Sequence, residues 1–191
     1  DKEKKYLKII NVSGEWFLNN QDESFLHYEY DYLKKIHPKK SHALREMGAL
    51  WSITKLSSFL KDEKYDVLAK RGFNYFEKYF VYDKENNFLF VNVTPSKVKL
   101  GYSAFMTLSL LEIDHPKKEE YLEKFANSIL FQQNESGKLS TFFYSERETG
   151  QDYYPGEALL ALMSLYEHTK DEKYLDAVIK AFPFYVNYFK E

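Results

Sequence analysis

Carboxylates set beside aromatic rings are the groups in this sequence best suited to moving protons. Glu157 comes a few positions after Tyr153 and Tyr154, and burial among rings raises a carboxyl pKa toward the range where it serves as general acid or base. The rival account is that acids favour a first helical turn because the helix dipole stabilises them there. Arg45 and Glu46, preceded by His42, form a second group. An arginine there could clamp a carboxylate or a pair of hydroxyls through two parallel hydrogen bonds, or simply pair with its neighbour. Tyr28-Glu29-Tyr30-Asp31 is a third: strand-like alternation puts the two rings on one side and the two acids on the other, an arrangement that an ordinary strand edge explains equally well. Glu146, Arg147, Glu148 and Asp152 make a fourth, which a solvated charged loop also explains. If two carboxylates act as a pair, Glu157 works with Glu46 or Asp152, and their separation would distinguish displacement by a bound water from a covalent route.

Other chemistries find little support. The chain has no cysteine, which excludes disulfides, thiolate metal sites and a cysteine nucleophile and leaves the compartment open. The histidines at 27, 37, 42, 115 and 168 show no metal-ligand spacing, so no metal is expected. With 7 glycines and neither a Gly-x-x-x-x-Gly-Lys loop nor a Gly-x-Ser-x-Gly elbow, a nucleotide cofactor and a serine nucleophile are not expected either, and no cofactor is assigned. Net charge is −2 with both signs interleaved, which gives no case for nucleic acid. Apolar runs such as Ala158 to Met163 fall short of the roughly 18 residues of a membrane span. The first residue is Asp1, with no methionine and no leader, which reads as a processed chain or a cut from a longer one.

The elements that must position these groups repeat. Lys61-Asp62-Glu63-Lys64-Tyr65 recurs as Lys170-Asp171-Glu172-Lys173-Tyr174, and Lys117-Lys118-Glu119-Glu120-Tyr121 lies near the midpoint, a period of about 53 to 56 residues. Apolar spacing on both sides of each pentad is helical, so each unit reads as an αα-hairpin. A further N-terminal helix over roughly 4–18, with Gly14 as its weak point, brings the count to about seven. Pro155 suits a first helical turn, whereas Pro183 should kink or break the last helix. The first helix of each unit, above all Ala158 to Met163, is apolar nearly all round and should be buried on all sides. Its partner carries a charged face, so an inner and an outer layer are expected. Glycines at inner-helix starts, Gly48, Gly101 and Gly156, read as allowing close packing. Long connecting segments, 20–43, 81–100 and 134–154, mix turn residues with alternating aromatics and form a rim where function is expected. Aromatic content is 18%, with 17 Tyr and 16 Phe, most of it core filling.

The run Tyr153-Tyr154-Pro155-Gly156-Glu157-Ala158-Leu159-Leu160-Ala161-Leu162, followed by Tyr166 and Asp171-Glu172-Lys173-Tyr174, together with Leu44-Arg45-Glu46-Met47-Gly48-Ala49-Leu50-Trp51, resembles inner-helix starts and hairpin turns of the six-hairpin glycosidase-like α/α toroid superfamily. The resemblance covers almost the whole chain and implies an all-α fold of repeated antiparallel helical hairpins forming a partial α/α toroid, with 1–191 as a single domain or part of a larger chain. About three and a half hairpins are present where a complete toroid has six. The superfamily includes glycoside hydrolases, unsaturated-uronyl hydrolases and sugar 2-epimerases, and no complete signature of one enzyme family is matched. The resemblance implies a central groove at the loop-bearing rim, with Glu157, Glu46 and Asp152 as candidate catalytic acids. Arg45, His42 and the tyrosines Tyr28, Tyr30, Tyr102, Tyr153 and Tyr154 are the candidates for substrate binding.

Two classes of function stay open. One is a carbohydrate-active protein, acting on an oligosaccharide or uronate by hydrolysis, elimination or epimerisation. The other is a non-catalytic helical-repeat module that binds a protein partner or a second copy of itself, and half of a larger toroidal enzyme is a further possibility.

Overall fold

In the computed structural model, which describes residues 2–190, the chain divides after Lys78 into two compact units. The first holds α1 (Lys2–Asn19), α2 (Ala43–Leu60) and α3 (Glu63–Glu77). The second holds the strands β1 (Phe80–Asp83) and β2 (Phe88–Val91), then α4 (Leu100–Glu112), α5 (Lys118–Phe131), α6 (Tyr154–Thr169) and α7 (Glu172–Tyr188). The seven helices among the described residues match the sequence expectation, and α2/α3, α4/α5 and α6/α7 pack as the three hairpins.

The repeated pentad has a physical role at each position. Lys61 and Lys170 adopt left-handed conformations, φ 53° and 60°, and their N–H groups close the preceding helices on Ser57 O and Tyr166 O. Asp62 and Asp171 cap the next helix by accepting from Lys64 N and Lys173 N, each at 3.1 Å. Tyr65 and Tyr174 then bury their rings. The middle turn is built differently: Lys117 supplies no side-chain cap, and His115 Nδ1 accepts from Lys117 N at 3.1 Å instead.

Three details depart from expectation. Gly14 is no weak point, because α1 runs unbroken through it and a Cβ there would run into the Tyr65 hydroxyl of α3. Helix α7 continues through Pro183, whose exposed ring leaves the buried face of Tyr174, Ala177, Ala181 and Tyr185 intact; side-chain packing outweighs one missing ladder bond. Burial on all sides holds for α4, where every residue from Leu100 to Leu110 except Phe105 is buried. It fails for α6: Leu160 is 46% exposed, because α6 packs on α4 and α7 and no further hairpin covers its remaining flank among the described residues.

The connecting segments carry short extended pieces rather than full strands. Segment 81–100 contributes to the antiparallel hairpin β1/β2, with Phe80 opposite Val91 and Asp83 opposite Phe88. Asp83 Oδ1 accepts from the N–H groups of Glu85 and Asn86, and Asn87 takes the left-handed position the turn requires. The inward rings Phe88 and Phe90 cluster with Val98 and Phe143. The other two segments hold isolated bridges, Gln21 with Leu26, Asp31 with Ile36 and Gln133 with Leu139, and a further bridge joins Lys99 to Phe142. No helix among the described residues is long and apolar enough to cross a membrane.

Candidate functional site

Within the second unit, α4 lies along α6, and their N-terminal ends bring Lys99, Tyr102, Tyr154 and Glu157 into one charge-coupled group. The position of Lys99 is fixed by the strand-like pairing around it: Leu100 N donates to Thr141 O and Phe143 N to Val98 O, each at 2.9 Å. Its ammonium reaches over two rings, 5.6 Å from the centre of Tyr102 and 5.8 Å from that of Tyr154, within cation–π range. Tyr154 is seated by the turn before α6, where Gly150 has φ +91° and its carbonyl accepts from Tyr153 N and Tyr154 N. A Cβ at Gly150 would meet the Tyr154 ring, so both the conformation and the space there require glycine. Phe142 closes against Tyr154 edge to face at 6.0 Å, and the Arg147 guanidinium lies 5.3 Å over Phe142.

Glu157 occupies the first turn of α6, as expected. It is half-buried, and its Oε2 is sealed from solvent with no hydrogen-bond donor among the described residues. Loss of hydration raises its pKa to about 7, against a smaller pull downward from the positive charge of Lys99. Desolvation lowers the pKa of Lys99, and the neighbouring charges of Lys97 and Arg147 lower it further, opposed by Glu157. Tyr102, only 4% exposed, is pushed up to about 12 by burial, and Tyr154 is raised by burial and by the charge of Glu157. A carboxyl that titrates near neutrality can give or take a proton at physiological pH, which is the requirement for general acid/base work.

The other candidate residues of this unit are placed differently. Tyr153 stands 67% exposed at the helix start, its ring available as a flat surface. Asp152 is exposed and accepts from the Tyr188 hydroxyl at 2.9 Å, and Glu148 is held by Lys138 at 2.7 Å. A Cβ added at Gly156 would meet nothing within 4 Å, so the close-packing reading fails there and the first turn of α6 is open on that side.

In the first unit, the candidates form a self-contained array. Glu46 is buried and its Oε1 accepts from Ser41 Oγ at 2.7 Å and from His42 N at 2.8 Å, so its carboxylate closes the entry to α2. Arg45 does not pair with it: the guanidinium donates to the Tyr28 hydroxyl at 2.6 Å, and Tyr28 stacks on His42 at 5.6 Å. Tyr30 leans on His37 at 4.9 Å, and His37 stacks face to face with His27 at 3.8 Å. Glu29 pairs with Lys40, and Asp31 caps its own turn through Leu33 N and Lys34 N. A cleft of about 670 Å³ is lined by His27, His37, Lys40, Ser41 and Glu46 among others, and one of about 350 Å³ by Trp16, His27, Tyr28, Tyr30 and His37.

Lys99 and the His27/His37 stack escape a reading of the sequence. The only signal for Lys99 is a single cation wedged between Val98 and the apolar run from Leu100. The two histidines lie in one loop at a separation that carries no periodic signal. Among the described residues, no three His, Asp or Glu side chains are grouped to hold a metal ion.

No family model and no curated protein sequence matches the chain. Its structure is similar to that of a GH76 alpha-mannanase from Bacteroides thetaiotaomicron, with a TM-score of 0.70 at 18% sequence identity, covering 96% of this chain and 52% of that one. This chain thus spans about half the length of that protein. The likeness shows the fold: repeated antiparallel helical hairpins of a partial α/α toroid.

Proposed function

We propose that the chain is a carbohydrate-active protein that works on an oligosaccharide or uronate by carboxylate acid/base chemistry, with Glu157 as the group that moves the proton. The observation that carries this reading is the half-buried Glu157 carboxyl, one oxygen without a donor and a pKa of about 7, at the start of an inner helix. Tyr153 and Tyr154 beside it supply flat apolar faces of the sort that pack on sugar rings, and Tyr102 backs the site. Asp152, released from Tyr188, is the nearest acid in sequence to serve as a partner. The Tyr28, Arg45, His42 and Tyr30 array offers a second set of saccharide contacts, with Glu46 keeping it in place through the α2 cap. The fold shared with an alpha-mannanase supports carbohydrate as the substrate class.

The test is an NMR assay of wild type and Glu157→Gln against neutral and uronic-acid oligosaccharides, because NMR registers cleavage, elimination and epimerisation alike. Turnover in wild type that disappears in the variant is the expected result. Neither turnover nor binding across the panel would sink the reading and leave the non-catalytic repeat module in its place.

A second reading has its own support: residues 1–191 serve as part of a larger toroid. Coverage of about half the mannanase fits it, as do two open apolar faces. One is a groove of about 680 Å³ between α1 and α2 with Ile9, Phe17, Trp51 and Phe59, and the other a groove of about 400 Å³ on α6/α7 with Leu159, Phe182 and Phe189. Large exposed apolar patches of this sort mark surfaces that meet another element or chain. Sedimentation of the isolated chain checks it: a clean monomer with no surface-dye binding is the outcome that counts against it.

A further inference from the structure

Lys99 is the odd lysine of this molecule. The other half-buried lysines each have an oxygen partner: Lys70 pairs with Asp66 at 2.8 Å, Lys124 with Glu120 and Lys138 with Glu148 at 2.7 Å, and Lys118 donates to Leu111 O at 2.8 Å. Lys99 has no ion pair and no side-chain hydrogen bond among the described residues, and neither do Lys97 and Arg147, the cations whose charges act on it. An ammonium withdrawn from water without a counter-charge is costly, and the faces of Tyr102 and Tyr154 offset only part of that cost. The single acid coupled to it is Glu157, which burial drives toward its neutral form, while Glu148 and Asp152 of the adjoining loop are engaged with Lys138 and Tyr188. The group as a whole is therefore positive, and its one unsatisfied buried acceptor belongs to a carboxyl that can itself donate when protonated.

We propose that this site recognises an acidic sugar, with the ligand's carboxylate held against the Lys99 ammonium, Arg147 adding a second positive charge, and the sugar ring lying on the exposed tyrosine face at the start of α6. The inference rests on the carbohydrate reading above and narrows it to uronates. The ligand's carboxylate supplies the counter-charge that Lys99 lacks and that a neutral sugar would leave unmet, and a protonated Glu157 spares the ligand a like-charge encounter. Binding of an acidic sugar accordingly weakens as pH rises through 7.

The experiment is calorimetric or NMR titration of the full chain with glucuronate, galacturonate and mannuronate oligosaccharides, each against its methyl ester, and with a sulfated and an unsulfated neutral oligosaccharide. At least one uronate should bind wild type about ten-fold or more tightly than its methyl ester, the effect of one well-placed charge-assisted hydrogen bond. That preference should vanish in Lys99→Met and largely survive in Lys99→Arg, with circular dichroism confirming that both variants fold. Equal affinity for acid and ester, or an undiminished preference in a folded Lys99→Met, overturns the assignment while leaving the carbohydrate reading standing. Tighter binding of the sulfated oligosaccharide than of any uronate overturns the carboxylate. Binding of no saccharide at all overturns both.

Discussion

Helices α2 and α6 each open a hairpin with an acid in the first turn, and the two acids have opposite fates. At the start of α2, Glu46 is tied into the backbone: Ser41 and the His42 N–H both donate to its Oε1, and the carboxylate serves as part of the helix cap. At the start of α6, Glu157 meets rings and a lysine that does not bond it, and one oxygen has no donor among the described residues. Residue type and helical neighbourhood are the same, so what separates them is the supply of hydrogen-bond donors. Deprived of a donor on one oxygen and of water, the Glu157 carboxyl becomes a titrating group in the neutral range.

The largest effect that would break this contrast is in turnover. Glu157→Gln should lower the rate on any substrate found by about 100-fold or more, the ordinary contribution of a positioned acid or base, whereas Glu46→Gln should change it only a few-fold; equal losses in the assay would erase the distinction. Next in size is stability. Removing the Glu46 carboxylate with Glu46→Ala leaves the Ser41 and His42 donors without their acceptor, and urea denaturation should register a loss of about 1–3 kcal/mol.

Acid–base linkage sharpens the contrast further. Glu157 has a folded-state pKa of about 7 against 4.5 for an ordinary glutamate, so between those values the unfolded chain releases its proton and the folded chain retains it. Stability from this group therefore falls as pH rises from 4.5 to about 7 and is level on either side. The full shift corresponds to roughly 3 kcal/mol, which partial exposure to solvent reduces to about 1–2 kcal/mol. Thermal melts of Glu157→Gln should lack that slope. In Lys99→Met, which removes the charge that draws the pKa down, carboxyl NMR should find Glu157 titrating higher still. The smallest expected effect serves as a control in the same hairpin: Pro183→Ala should leave the fold intact and shift stability by no more than about 1 kcal/mol, on the stabilising side if the restored N–H finds its carbonyl. A large loss on melting would mean that the ring itself holds α7 in place.

The hairpins were legible because they rest on local chemistry. The pentad at 61–65 and 170–174 writes a left-handed stop, an aspartate cap and a buried tyrosine into five consecutive residues, and the aspartate and tyrosine do in the structure what their types predict. The place of Glu157 was legible for a similar reason, as an acid beside tyrosines at a helix start. The setting of Lys99 was not, since what sets it apart is the lack of an ion-pair partner among the described residues, an absence that no local pattern records. Gly14 and Gly150 show the same limit from the other side. A glycine reads in sequence as a soft spot or a turn, while here each also makes room for an aromatic ring, Tyr65 or Tyr154. For Gly14 and Tyr65, which lie on different helices, that meeting is set by packing alone.

The pentad turns also bear on how quickly the chain finds its fold. Each joins two helices through a turn of only a few residues, so closing the α2/α3 and α6/α7 hairpins costs little loop entropy. The long rim segments close later, because Gln151 reaches Leu139 and Tyr185 across 12 and 34 residues. In amide hydrogen exchange the segment that carries Arg147 and seats Tyr154 should be released before the helices it joins. The first turn of α6 should exchange later than the loop before it, since Glu157 N already donates to Tyr153 O as part of the helix ladder.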